Sequence, residues 1–413
     1  MVEKTESSPH VPGSSQSPLI ENAREIAPRL AERAPVAEAE RRLPQETVDD
    51  LHKAGLLAMN IPKDQGGTEA DLATQLVVYE TIGGACASTA WVLGNHSALC
   101  NRVQGLMGDA ARPYMRDVVE NGAVIAHAAV PGGTTRIADG GFITGGRWPF
   151  VSGSNVAGII FLSTMVPGPP PGWSGNGAES PPAAHNRWLF VSPDDPGLHI
   201  EETWRAMSLR ASMSNDVVVD EIFVPEEQAM VDQRPPPHLP WLPNGPVALR
   251  VPLRARVWMS GMMLGIAQAA LDETIDFAMG RKMSIGGQPR TNMPGNQFAV
   301  ADAAMELESA RAFLSQEVRA IMAKAEAGVE FQPMDATRME MAGLVARENA
   351  IKAVDHLFTI RGANGLFETG NFERYYRDVR VGTLHAATSP NLTREQVGKS
   401  LFGVPADVQP RWG

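Results

Sequence analysis

Hydrophobic residues change their period twice along this chain, and those two changes limit the folds open to it. From residue 18 to about 122, apolar side chains such as Leu19, Ile20, Ile26 and Leu30 recur at three- and four-residue steps among Glu and Arg, the spacing of one helix face. Between 123 and 234 the pattern becomes short alternating runs punctuated by Gly, Pro and Asp, as antiparallel strands require. AHAAVPGG, FITGGRWPFVSG, AGIIFLSTMV, RWLFVS and DVVVDEIFVP read as those strands. A proline-rich stretch, 235–246, precedes a second helical region in which Met259–Met279, Ala299–Ala323 and Ala336–Leu357 carry the apolar stripe and charged face of bundle helices. The sequence therefore predicts an α+β chain: an N-terminal α-helical domain (18–122), a β-barrel-like middle domain (123–234), a linker (235–246), and a C-terminal four-helix bundle and tail (247–413).

Local signals fill in this plan. Residues 1–17 are rich in Ser, Pro and Glu without apolar periodicity, so disorder is expected there. Pro44 and Glu46 open a helix expected over Val48–Leu57, with Gly55 near its end. Pro167–Asn186 is a Pro, Gly and Ser-rich insert expected to be a mobile surface loop. Its Trp173 is either an exposed aromatic or part of a lid over a substrate. Of the 413 residues 43% are hydrophobic, enough for a large core, and a formal charge of −11 without Lys/Arg clusters argues against nucleic acid or an anionic membrane as partner. Cys86 and Cys100 lack metal-ligand or disulfide-framework spacing, so no metal site is expected. No apolar run is long enough to span a bilayer and no signal peptide is evident, which places the protein in the cytoplasm.

No GxGxxG follows a strand and no GxxxxGK[ST] occurs, so the common nicotinamide and nucleoside-triphosphate cradles are missing. The stretch Gly141–Ser154, GFITGGRWPFVSGS, combines a strand signal with a small polar end where backbone could approach a flat ligand. From the residues alone the favoured reading is an ordinary hairpin with Trp148 and Phe150 in the core.

Three phrases carry a resemblance. LHKAGLLAMNIPKDQGG is similar to the N-terminal helical domain of the acyl-CoA dehydrogenase superfamily. CASTAWVLGNHSA (Cys86–Ala98) resembles the helix bordering the substrate cavity in the superfamily's oxygen-using branch, the two-component flavin monooxygenases, and GRWPFVSG resembles that branch's flavin-facing segment. The resemblance implies that Phe150 lies against the flavin ring and that the Ser152 hydroxyl meets flavin N5. It also makes Ala129, Pro131 and Trp148 flavin contacts. Arg281, in GRKMSIGG, resembles an arginine that binds a flavin phosphate across a subunit boundary, although Met283 and Ser284 replace the family's aromatic-glycine pair. TIRGANGLFETG resembles the turn that completes a partner's flavin site, which nominates Gly362 and Ala363. Together these features imply a homotetramer.

YRDVRVGTLHAATS (Tyr376–Ser389) bears on mechanism. Aligned on Arg377 and Asp378, the position of the dehydrogenases' catalytic glutamate is Ala386, and the alternative position on an earlier helix is Ala255. A dehydrogenase must remove an α-proton as hydride leaves, so the loss of both carboxylates disfavours that reaction. His385 is where the monooxygenase branch places a histidine near flavin and substrate, able to hydrogen-bond a C4a-hydroperoxide or take a substrate proton. His96, on the cavity helix, is a second catalytic candidate. The resemblance implies an oxygenase that uses FMNH2 or FADH2 from a separate NAD(P)H-dependent reductase, with O2, on a small aromatic or natural-product substrate. A dehydrogenase or oxidase with a relocated base, and a non-catalytic flavin-fold module, are the competing readings.

Overall fold

The computed structural model describes residues 17–173, 181–233, 235, 238–252, 257–284 and 286–404. Most of the N-terminal tail, the tip of the insert, Ala255 with Arg256, and the last nine residues lie outside the described residues. Five helices come first: α1 (Pro18–Glu40), α2 (Gln45–Lys53), α3 (Leu72–Ala85), α4 (Ala87–Met107) and α5 (Arg112–Asn121). Helix α2 ends at Lys53, before the expected Leu57, because Gly55 turns left-handed (φ 73°) and Leu56 N–H reaches back to Leu51 C=O. Asp71 caps α3 by accepting from Thr74 N–H at 2.6 Å.

The middle segment holds β1 (Val124–Ala128), β2 (Thr134–Ala138), β3 (Gly141–Val151), β4 (Ala157–Pro167), β5 (Ala184–Val191), β6 (Leu198–Glu201), β7 (Asn215–Pro225) and β8 (Ala229–Val231). They form two four-stranded sheets, ordered β1-β4-β5-β8 and β2-β3-β7-β6. Every pairing is antiparallel except β1 with β4. Strands β4 and β5 stay paired out to Pro167 opposite Ala184, so the insert begins as a continuation of a hairpin.

Helices α6 (Val257–Met279), α7 (Pro294–Glu326), α8 (Pro333–Arg361), α9 (Phe372–Asp378), α10 (Val381–Leu384) and α11 (Pro390–Leu401) complete the chain. The N-terminal and C-terminal helices share one core, in which α3 lies directly on α6. Glycines allow that contact: a Cβ at Gly265 would stand 1.9 Å from Glu80 O, and one at Gly83 would stand 2.5 Å from Met262 O. A second core fills the space between the two sheets. Strand β4 serves both. Ile159 and Phe161 face the helices while Ile160 and Leu162 face the other sheet, which is why AGIIFLSTMV reads as one continuous apolar run. No described helix is long and apolar enough to cross a membrane.

Candidate active site

Strand β3 reaches the site through a bulge. Trp148 pairs with Val217 and Val151 with Asn215, so two residues on β3 oppose one on β7. Phe150 takes a left-handed conformation (φ 61°) in this bulge and is thrown outward, 67% exposed, its ring edge-to-face with Trp204 at 6.3 Å between centres. Trp148 points the other way. It is fully buried between the sheets and donates its indole N–H to Ser163 C=O at 2.7 Å, so its expected place at the flavin is corrected to the β-domain core.

Just past the bulge, Ser152 Oγ accepts from the indole N–H of Trp91 at 3.0 Å and lies 2.8 Å from Ser214 Oγ, which lies 2.8 Å from Ser212 Oγ. Trp91 donates only, so it occupies one Ser152 lone pair. The three hydroxyls can then be ordered in either direction, leaving Ser152 with a proton or a lone pair for a ligand.

Trp91 also joins Ser152 to a histidine. Its ring meets His385 edge-on at 5.8 Å and Trp258 at 5.3 Å. His385 begins a short turn after α10, and its Nδ1 accepts from Ala387 N–H at 3.2 Å. That bond leaves the proton of the neutral imidazole on Nε2. Thr388 Oγ1 fixes the turn by donating to Gly382 C=O at 2.8 Å.

His385 lines a cavity of about 280 Å³ bounded by Gln75 and Tyr79 of α3, Asn95, Leu99 and Arg102 of α4, His127 and Ala129 after β1, and Trp258 and Met259 of α6. Trp241 and Leu249, from the segment before α6, close it. No Asp or Glu is among its described lining residues. Arg102 is paired with Asp232 at 2.7 Å and lies 3.6 Å over the Trp188 ring.

His96 does not face this cavity. The α4 residues that do are Asn95, Ala98, Leu99, Asn101 and Arg102, and His96 lies about 100° round the helix from Asn95. It is fully buried, Nε2 donates to Leu57 C=O at 2.8 Å, and Nδ1 accepts from Ile125 N–H at 2.9 Å. Burial lowers its pKa to about 4. The expectation of a catalytic His96 is therefore corrected: it is a neutral tie between α4, the chain after α2 and β1.

Of the remaining candidates, Ala129 lines the cavity and Pro131 is exposed in the β1–β2 turn. Arg281 reaches Asn364 Oδ1 at 3.5 Å, beside the exposed turn of Gly362 (φ 54°) and Ala363. Arg281, Arg290 and Arg361 converge on Phe277 with guanidinium carbons 4.6, 5.1 and 4.4 Å from its ring, and Glu273 pairs with Arg361 at 2.9 Å. Arg281 and the glycine turn thus come together at the end of α6. Two residues that the structure places at this site escaped the sequence reading. Trp91 stood inside a quoted motif as one more apolar helix residue, and Trp241 lay in what read as a linker.

Family comparison agrees with this fold. The model for the acyl-CoA dehydrogenase N-terminal domain matches residues 15–112, and the model for the acyl-CoA dehydrogenase C-terminal domain matches 257–390. A pigment production hydroxylase from Rhodococcus sp. is 26% identical over 95% of this chain and 98% of its own. The oxygenase subunit HsaA of a flavin-dependent monooxygenase from Rhodococcus jostii is also 26% identical, over 92% of this chain and 97% of its own. The structure of XiaF from Streptomyces sp., in complex with FADH2 and glycerol, superposes with a TM-score of 0.83 at 24% identity, covering 95% of this chain and 96% of that one. With both terminal domain models matched, and relatives of this kind aligned from end to end, the chain belongs to the acyl-CoA dehydrogenase superfamily, on its flavin-dependent monooxygenase branch.

Proposed function

We propose that the protein is the oxygenase component of a two-component flavin-dependent monooxygenase. It receives FMNH2 or FADH2 from a separate NAD(P)H-dependent reductase and inserts one oxygen atom of O2 into a small aromatic or natural-product substrate. The observation that carries this reading is a cavity bounded by His385 and aromatic walls with no described carboxylate in its lining. Dehydrogenation needs a base there, and oxygenation does not.

The residues fit the flavin. Phe150 offers an exposed ring on a bulge, two residues before a hydroxyl backed by an ordered relay. Arg281, beside the open backbone of Gly362, offers a guanidinium for a phosphate group, and we assign it to the flavin of a neighbouring subunit. Bound reduced flavin would supply the activation of O2. Ser152 would hold the ring through its hydroxyl. His385, with its proton on Nε2, is placed to donate a hydrogen bond to a developing oxyanion more readily than to act as a base. Tyr79, Trp241 and Trp258 would exclude water and stack a planar substrate.

The test is to mix the protein with chemically reduced FMN or FAD, admit O2, and follow oxygen uptake and product with a panel of phenols and indoles. Oxygenated product supports the proposal. A protein that purifies with tightly held oxidised FAD and reduces it with an acyl-CoA would overturn it. The assigned sharing of Arg281 implies a homotetramer, and native mass measurement giving only monomer at micromolar concentration would refute it.

A further inference from the structure

One buried carboxyl lies outside the cavity yet is bonded to the loop that holds both flavin-facing residues. Asp378, at the end of α9, is 2% exposed, and its Oδ1 accepts from Leu209 N–H at 2.7 Å and from Ser208 Oγ at 3.2 Å. The loop it grips is not in a relaxed conformation: Leu209 (φ 48°) and Met213 (φ 50°) are both left-handed, which large L-residues adopt only when their surroundings enforce it.

From that loop several contacts run to the site. Ser212 C=O accepts from Gly153 N–H at 2.9 Å, and Met213 C=O accepts from Ser154 Oγ at 2.9 Å. Ser214 Oγ meets Ser152 Oγ, and Trp204, whose indole N–H donates to Leu209 C=O at 2.9 Å, meets the Phe150 ring. The backbone on either side is held as well. Arg377 donates to Met207 C=O, and Arg41 donates to the carbonyls of Trp204 and Ala206.

We propose that Asp378 is a positioning residue for oxygenation: by fixing the backbone at Leu209 it sets both the Ser214 hydroxyl that orders Ser152 and the Trp204 ring that backs Phe150. The inference rests on the reading of Ser152 and Phe150 as flavin-facing. Asp378 touches neither cavity nor flavin face, and its effect passes through the loop.

The test uses full-length, flavin-free protein labelled with 5-fluorotryptophan, with the 19F signals of Trp91 and Trp204 assigned by Trp91→Phe and Trp204→Phe. Asp378→Ala should move both signals, and Ser152→Ala should move that of Trp91. Asp378→Asn keeps an oxygen acceptor for Leu209 N–H and should leave both near their parent positions. Signals unchanged in Asp378→Ala would overturn the proposal. Should that variant fail to fold, Ser208→Ala removes one of the two donors and must shift the Trp204 signal in its place.

A second arm uses the share of O2 released as H2O2 with reduced flavin and a substrate. Loss of the relay should weaken flavin binding about three- to tenfold, the range one or two hydrogen bonds span. Adding Ser152→Ala to Asp378→Ala should then change neither affinity nor H2O2 share much further. Additive effects would refute the coupling. No effect of Ser152→Ala alone would instead refute the reading of Ser152, while the 19F signals would still judge Asp378.

Discussion

Replacing Gly94 by Ala should damage the cavity without touching the flavin face. A Cβ built at Gly94 would stand 2.2 Å from Trp258 Cε3 and 2.5 Å from Cδ2, against ordinary contact at 3.4–4 Å. The indole must therefore retreat by about 1.2 Å or α4 must lift from α6, and forced overpacking of this kind costs roughly 1–3 kcal/mol. Trp258 is buried between Gly94, the Trp91 ring and the cavity, so its open direction is into the cavity space. Gly94→Ala should lower the unfolding temperature by several degrees and raise the KM for a planar substrate, while the dissociation constant for reduced flavin changes little. Trp258→Phe should restore much of the lost stability in the double variant, because the smaller ring vacates the clashing atoms. Differential scanning fluorimetry and steady-state kinetics read all three quantities. Unchanged stability and KM in Gly94→Ala would show that the two helices do not approach as described.

Two other perturbations separate chemistry from fold. His385→Ala should still bind reduced flavin and consume O2, but release mainly H2O2, with product formation down roughly a hundredfold and little change in unfolding temperature; coupled turnover at the parent rate would remove His385 from the mechanism. Asp378 gives a pH signature. Burial first, and then the Glu38 carboxylate on α1, outweigh the Leu209 N–H bond and the charges of Arg377 and Arg374, and raise its pKa from 3.8 to about 6. The folded state thus binds this proton more tightly than the unfolded chain, so the group's cost is present above pH 6 and is relieved as pH falls toward 4. Asp378→Asn should therefore be more stable than the parent at pH 8, by at most about 3 kcal/mol, with about half of that difference gone at pH 5 and most of it gone below pH 4. Urea titrations at these pH values test this, and an Asn variant less stable at pH 8 would refute it.

The order of the segments was legible because burial on one face leaves a period behind. The double burial of β4 shows as a solid apolar run, and the bulge at Phe150 was hinted at by the glycines and small residues around it. The site's hidden connections were not legible, for physical reasons. Helix α4 is buried on almost every side, so no polar face told which residues look into the cavity, and neighbours in sequence went different ways: Asn95 into the cavity, His96 into a backbone tie. Trp148 and Phe150 sit two apart on one strand and should share a face. The bulge breaks that rule and sends one inward and the other out. Trp241 was missed because a proline-rich stretch carries no period, although Gly105 lets its backbone seat on α4, where a Cβ would stand 2.8 Å from Trp241 O. One apolar core runs through both helical regions, a contact between distant segments that no local period announces.

The glycine crossing of α3 and α6 bears on how such an enzyme changes its diet. Gln75 and Tyr79 form one wall of the cavity and Trp258 and Met259 another, on helices whose backbones already touch at Gly83, Gly84, Gly261 and Gly265. The width between these walls is set by main chain, so trimming side chains elsewhere in the bundle cannot widen it. A new substrate is more readily accommodated at Trp241 and Leu249, on the segment leading into α6, which lies outside the helix crossing. Broadening the range of molecules accepted is thus a matter of remodelling one short stretch of chain, while the crossing helices stay as they are.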